Sequence, residues 1–246
     1  MDARIVKQGL NRLFNCIPEM LPPLGWYFAE SPPAGVVMPE RNKWTCMFGY
    51  IKRLVEGEAL CFSAGDTGCS GAACYLGFMA SSKEAGRFLA EKEKFKKNTI
   101  LGNAFYDGIC AQSAKAEFVV WGLIDNIADN VAIEVVNLWI NADGLSGLVT
   151  LANYDRPNND NVVVPFASGC QSIWTIPYTE KGTKEPKCVV GCIDPAMRKH
   201  LPPDILSFAM PANRFVEMTE NISGSFLEQN GWNDLMNKGK HNKSLE

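Results

Sequence analysis

With 246 residues, 46% of them hydrophobic and 21% charged, and a net charge of −3, the chain has the makeup of a globular protein. A chain of this size buries roughly 70–75% of its unfolded surface. The mild acidity removes the general electrostatic case for a nucleic-acid partner, and no apolar run approaches the roughly 18 residues that a membrane span needs.

The opening residues, Met1 to Lys7, lack the apolar core of a secretion signal, so the expected compartment is the cytoplasm. Val6, Leu10, Leu13 and Phe14 share one face of an amphipathic helix. Pro22-Pro23 and Pro32-Pro33 then impose a Pro-rich extended passage. From Arg41 to about Glu56 the apolar residues Trp44, Met47, Phe48, Ile51, Leu54 and Val55 return to helical spacing, and Gly57 ends that run. A short strand over 58–64 follows. It runs through the turn Gly65-Asp66-Thr67-Gly68 into a helix that begins near Cys69.

Ser81-Ser82-Lys83-Glu84 has the form of a capping box, opening a charged helix that runs through Lys94 toward Asn98. Acidic residues interleave with its lysines, so a solvated face is favoured over a nucleic-acid patch. Beyond Lys115 strands and helices alternate. Strands are expected at Ala116–Ile124, Ala132–Ile140, Val162–Val164, around Val189-Val190 and at Ile205–Met210. Helices are expected after Asn141, from Ser168-Gly169-Cys170, from the N-cap Asp194-Pro195, and from Pro211. This order implies a single α/β or α+β domain over residues 1–236, with helices packed on a mixed sheet. Residues 237–246 read as a polar, disordered tail.

Candidate chemistry gathers at the strand–turn–helix junctions. A helix N-terminus offers unpaired N–H groups and a positive dipole end, which favour anions and thiolates. Gly65, Gly68 and Gly71 fit neither the dinucleotide fingerprint nor a P-loop, which leaves a tight turn and an anion cradle equally open. Cys69 and Cys170 each follow a glycine-containing turn, and Cys192 closes a strand just before Asp194. Strand ends and helix starts converge on one edge of a parallel-type sheet, so these thiols could face one pocket with Asp143 and Asp194, and Cys46 could join them.

No Cys-x-x-Cys pair occurs among the nine cysteines. Four thiolates from Cys46, Cys69, Cys170 and Cys192 would nevertheless suit an iron–sulfur cluster or zinc. The bland alternative is that each thiol packs as a small hydrophobe. His200, at the end of a short helix, reads first as an exposed residue and second as the base of a Cys–His dyad. Arg198 could hold a substrate carboxylate or phosphate, or make a surface salt bridge.

Cys69-Ser70-Gly71-Ala72-Ala73-Cys74-Tyr75-Leu76-Gly77 resembles the prokaryotic family called domain of unknown function 169 (uncharacterised ArCR). Asn141-Ala142-Asp143-Gly144-Leu145-Ser146, Ser168-Gly169-Cys170-Gln171-Ser172, Val190-Gly191-Cys192-Ile193-Asp194-Pro195 with Arg198, and Ser225-Phe226-Leu227 with Trp232 are similar to it as well. The likeness spans about 40–235. It implies one compact domain, favours Cys69 and Cys170, and weakens Cys192, where relatives often carry an aromatic or aliphatic residue.

The leading expectation is a small ligand or redox cofactor held by Cys69 and Cys170 with Gly68, Ser70, Gly71, Ser168, Gly169, Gln171 and Arg198. A cysteine-nucleophile transferase or hydrolase and a plain interaction module are the alternatives. A homo-oligomer is compatible with all three.

Overall fold

A computed structural model of the chain describes every residue except 41–42, 81–83, 110–111 and 242–246, and describes 238–241 by backbone alone. Its centre is a seven-stranded mixed sheet in an α/β fold. In chain order the strands are β1 (Leu21–Ala29), β2 (Ala59–Phe62), β3 (Phe118–Leu123), β4 (Ile133–Ile140), β5 (Val162–Val163), β6 (Cys188–Gly191) and β7 (Leu206–Pro211). Across the sheet they lie β2-β3-β1-β4-β7-β6-β5, and every pairing is antiparallel except β5 with β6.

Side chains alternate between the two faces of each strand. Val120, Val136, Leu138, Phe208 and Met210 look toward one layer of helices. That layer holds α1 (Ala3–Cys16), α6 (Ala142–Tyr154), α9 (Ala212–Glu220) and α10 (Asn230–His241). Val6, Leu10 and Leu13 of α1 are buried there, as the helical spacing predicts. Leu24, Trp26, Leu60, Trp121 and Trp139 look the other way, into a second core rich in aromatic rings. Trp26 stacks on Trp121 with centroids 4.9 Å apart, and Trp174 stacks on Tyr178 at 4.6 Å. Stacked aromatic pairs of this kind add roughly 0.5–1.5 kcal/mol beyond their burial.

Four sequence expectations change. The Pro-rich passage contains β1, an interior strand between β3 and β4. Proline normally excludes such a place. Here Pro22 and Pro23 fall where the β1–β4 register shifts, between Leu21 and Leu24, so no ladder N–H is demanded of them.

The helix expected over Arg41–Glu56 shrinks to a 3-10 turn at Met47–Tyr50 followed by α2 (Ile51–Val55). The Thr45 N–H is committed to the Gly68 carbonyl at 2.9 Å, which holds Cys46 extended and leaves Trp44 76% exposed.

The capping box expected at 81–84 lies, in its first three residues, outside the described residues. The charged helix it was to open stops early: α4 (Ala85–Glu91) ends, Lys94 takes φ +58°, and Asn98 caps a separate α5 (Thr99–Gly108) by accepting the Leu101 N–H at 3.0 Å. The break lets Phe95 turn back against Phe166. Finally, α10 carries regular helix to His241, into the segment expected to be tail. Among the described residues no helix is long and apolar enough to cross a membrane.

Candidate functional site

The turn after β2 is built to deliver Cys69. Ser63 Oγ donates to Asp66 Oδ2 at 3.1 Å, and Gly68 adopts φ +78°. A Cβ at Gly68 would stand 2.5 Å from the Thr45 carbonyl oxygen, so both the backbone angle and the close approach demand glycine. Cys69 itself is extended, and its sulfur accepts the Ala72 N–H at 3.3 Å, capping α3 (Ser70–Tyr75). The expected helix start at Cys69 is therefore present, with the thiol in the place an Asp or Ser oxygen usually takes.

The second wall starts at Ser168. The Ser168 N–H donates to Gln171 Oε1 at 2.9 Å and the Gln171 N–H to Ser168 Oγ at 3.4 Å, a reciprocal capping box. Helix from Gly169 opens into a π-turn over Gln171–Thr175 and tightens again as α7 (Ile176–Glu180). Pro177 explains the widening: it has no N–H to give the Ile173 carbonyl four residues back. Buried Asn137 on β4 supplies the missing donor at 2.9 Å, while its oxygen accepts the Trp26 indole N–H at 2.8 Å. Thr175 Oγ1 donates to the Tyr75 carbonyl at the end of α3, at 3.0 Å. The helix led by Cys69 and the one led by Cys170 are thus tied to one another and to the sheet.

The third wall is α8 (Pro195–Arg198), where Asp194 Oδ1 accepts the Ala196 N–H at 2.8 Å. A backbone N–H of Gly169 also bonds the Asp194 carboxylate, linking α8 to the start of the Cys170 helix. The α4–α5 hairpin forms the fourth wall. Its helices touch backbone to backbone, since a Cβ on Gly102 would lie 2.1 Å from the Gly86 oxygen.

These elements enclose a cavity of about 270 Å³. Cys46, Cys69, Ser168, Gly169, Cys170 and Asp194 all line it. A second lobe of about 420 Å³ shares Trp44, Cys69, Phe88, Glu93 and Tyr106 and adds Ser70, Gly71 and Cys74. The convergence does not come from strand ends sharing an edge. Five antiparallel pairings separate β2 from β6, so the two strands run in opposite directions. The junctions meet because the loops fold back over the aromatic face of the sheet.

Several expected members stand elsewhere. Gly68 supports the turn beside a shallow surface depression, and Gln171 is a buried cap. Arg198 does not line the cavity. Its guanidinium donates to the carbonyls of Cys192, Pro202, Pro203 and Ile205, which uses it as a staple for the loop after α8 and leaves it no free fork for a substrate anion. Asp143 lies on α6, in the helix layer across the sheet.

Cys192 is fully buried in the aromatic core at φ +59°, its N–H donating to Ser172 Oγ. Unlike Cys46, Cys69 and Cys170, it does not line the cavity. Among the described residues no three His, Cys, Asp or Glu side chains are placed to hold a metal ion.

Electrostatics also revise the expectation of an activated thiol. Burial pushes the Cys170 thiol well above its ordinary range, and neighbouring Cys69, Cys46, Cys192 and Asp194 push the same way. Burial raises Cys46 too, and takes Cys188 and Cys192 to about 12. At Cys170 desolvation outweighs any help from the helix start.

Sequence reasoning missed the roof residues Phe88, Phe105 and Tyr106, the carboxylate of Glu93, and the inward place of His200. His200 Nε2 is buried with no hydrogen-bond partner among the described residues, and desolvation, reinforced by Lys199, lowers its pKa. Burial raises both Glu93 and Asp194, and Asp194 adds to the rise at Glu93. The Asn98 cap was the one local signal that a second helix would fold back here.

No curated protein and no solved structure matches the chain. A family model does match residues 20–221, most of its length and all four walls of the cavity. The chain therefore belongs to domain of unknown function 169, the uncharacterised ArCR family.

Proposed function

We propose that this protein binds a small organic molecule in the cavity between Cys69 and Cys170. One observation carries the reading: two thiols a hundred residues apart, on helices tied together through Thr175 and Tyr75, line the same ring-walled hollow. Binding sites for small molecules are typically concave and mostly apolar, with a few convergent polar groups. Here Phe88, Phe105 and Phe166 supply apolar wall, and Asp194, Glu93 and His200 supply the polar groups. A cytoplasmic setting suits the eight described cysteines, all free thiols. The nucleophile reading loses support at Cys170, where burial disfavours the thiolate.

Ala196 lines the cavity from an exposed position on α8, so Ala196→Trp fills the hollow without disturbing the core. In a ligand-observed NMR screen of a fragment library, the native protein gives hits, and the variant loses them at unchanged thermal midpoint. A native protein that returns no hits, or hits that survive Ala196→Trp, would contradict the reading.

A further inference from the structure

Aromatic walls alone would suit any flat apolar molecule, but this cavity also holds two carboxylates, Glu93 and Asp194, that form no ion pair among the described residues. Asp194, 8% exposed, receives backbone N–H groups from Ala196 and Gly169. Among the described residues no Lys or Arg forms an ion pair with Asp194 or Glu93, and the two carboxylates repel each other. Buried charge without a partner is unfavourable, and a bound cation removes that penalty.

The rings have an affinity for positive charge already visible in the fold, since the Lys96 ammonium lies 5.6 Å from the Phe105 centroid and 5.3 Å from that of Phe166. Lys199 also lines the cavity but forms no ion pair with either carboxylate.

We propose that the cavity takes a protonated primary amine, its ammonium held by Glu93 and Asp194 and its apolar body against Phe88, Phe105 and Phe166. The ligand supplies the ion-pair partner that neither carboxylate has among the described residues. This inference rests on the binding role proposed above and names the class of ligand.

Three size-matched probes separate the possibilities by calorimetric titration of the full chain: benzylammonium, benzyl alcohol and benzoate. Benzylammonium is expected to bind at least about tenfold more tightly than benzyl alcohol, and benzoate more weakly still. Glu93→Gln should shrink the ammonium preference to about twofold, and an unchanged thermal midpoint shows that the variant is folded. Equal or tighter binding of benzyl alcohol or benzoate, lost in Ala196→Trp, would overturn the cation inference and leave the binding role standing. If none of the three probes binds, the inference falls. If the fragment screen is empty as well, the binding role falls with it.

Discussion

Asp155→Ala lowers the unfolding free energy by about 3 kcal/mol in urea titrations at neutral pH, the low end of the range expected when a fully buried charge, here Arg214, loses its partner. Arg214 has a fully buried side chain, and its guanidinium holds Asp155 through two bonds of 2.7 and 2.9 Å while also reaching the Ala152 carbonyl. Taking away the carboxylate leaves a charge that cannot reach water, although Glu217 at 3.0 Å still compensates part of it. Arg214→Met in the same background should recover most of the loss, because the stranded charge goes and the volume stays.

The pair also gives acid sensitivity of a definite sign. The Arg214 hydrogen bonds hold the Asp155 carboxyl below its ordinary range, so its contribution is present above that range and is lost as pH falls through the lowered value. Asp194 and Glu93 act oppositely. Their raised values mean that the native state is penalised as pH rises through them.

Gly102→Leu separates the roof of the cavity from its floor. A side chain there meets the Gly86 backbone, so α5 must move away from α4, a strain of about 1–3 kcal/mol. Phe105 and Tyr106 move with it. Benzylammonium binding should fall by more than about tenfold, since its apolar ring loses the Phe105 wall. The near-ultraviolet dichroism of the stacked Trp26–Trp121 pair should persist, because those rings belong to the sheet face below. Unchanged binding in a folded Gly102→Leu protein would remove the hairpin from the site.

What could be read from sequence was what short-range chemistry decides. Asn141 and Asp194 announce α6 and α8 because each side chain bonds the N–H groups of its own helix. Cys69 marks α3 for the same reason. Strands β3, β4 and β7 stand out through β-rich apolar runs. Strand β1 was hidden because its prolines contradict a central strand until the bulge against β4 is known. The α4–α5 break was hidden because it depends on Phe95 finding Phe166, seventy residues onward.

The site was legible in part. Cys69, Cys170 and Cys46 do share a cavity, but the argument from strand ends does not explain it, since β2 and β6 oppose each other. Arg198 and Cys192 looked functional because they sit beside a helix start. Their partners, carbonyls of the following loop and the buried Ser172, are tertiary facts that local pattern does not carry.

The most direct test of the shared cavity needs no ligand. Native protein treated at alkaline pH with a short bis-electrophile that bridges neighbouring thiols, then digested and analysed by mass spectrometry, should yield a peptide joining Cys170 to Cys69 or to Cys46. Cys188 and Cys192, sealed in the two cores, should stay unmodified until the chain is unfolded. Cys69 and Cys170 alkylated singly and never bridged to a member of the trio, or Cys192 reacting ahead of them in the folded state, would contradict the account.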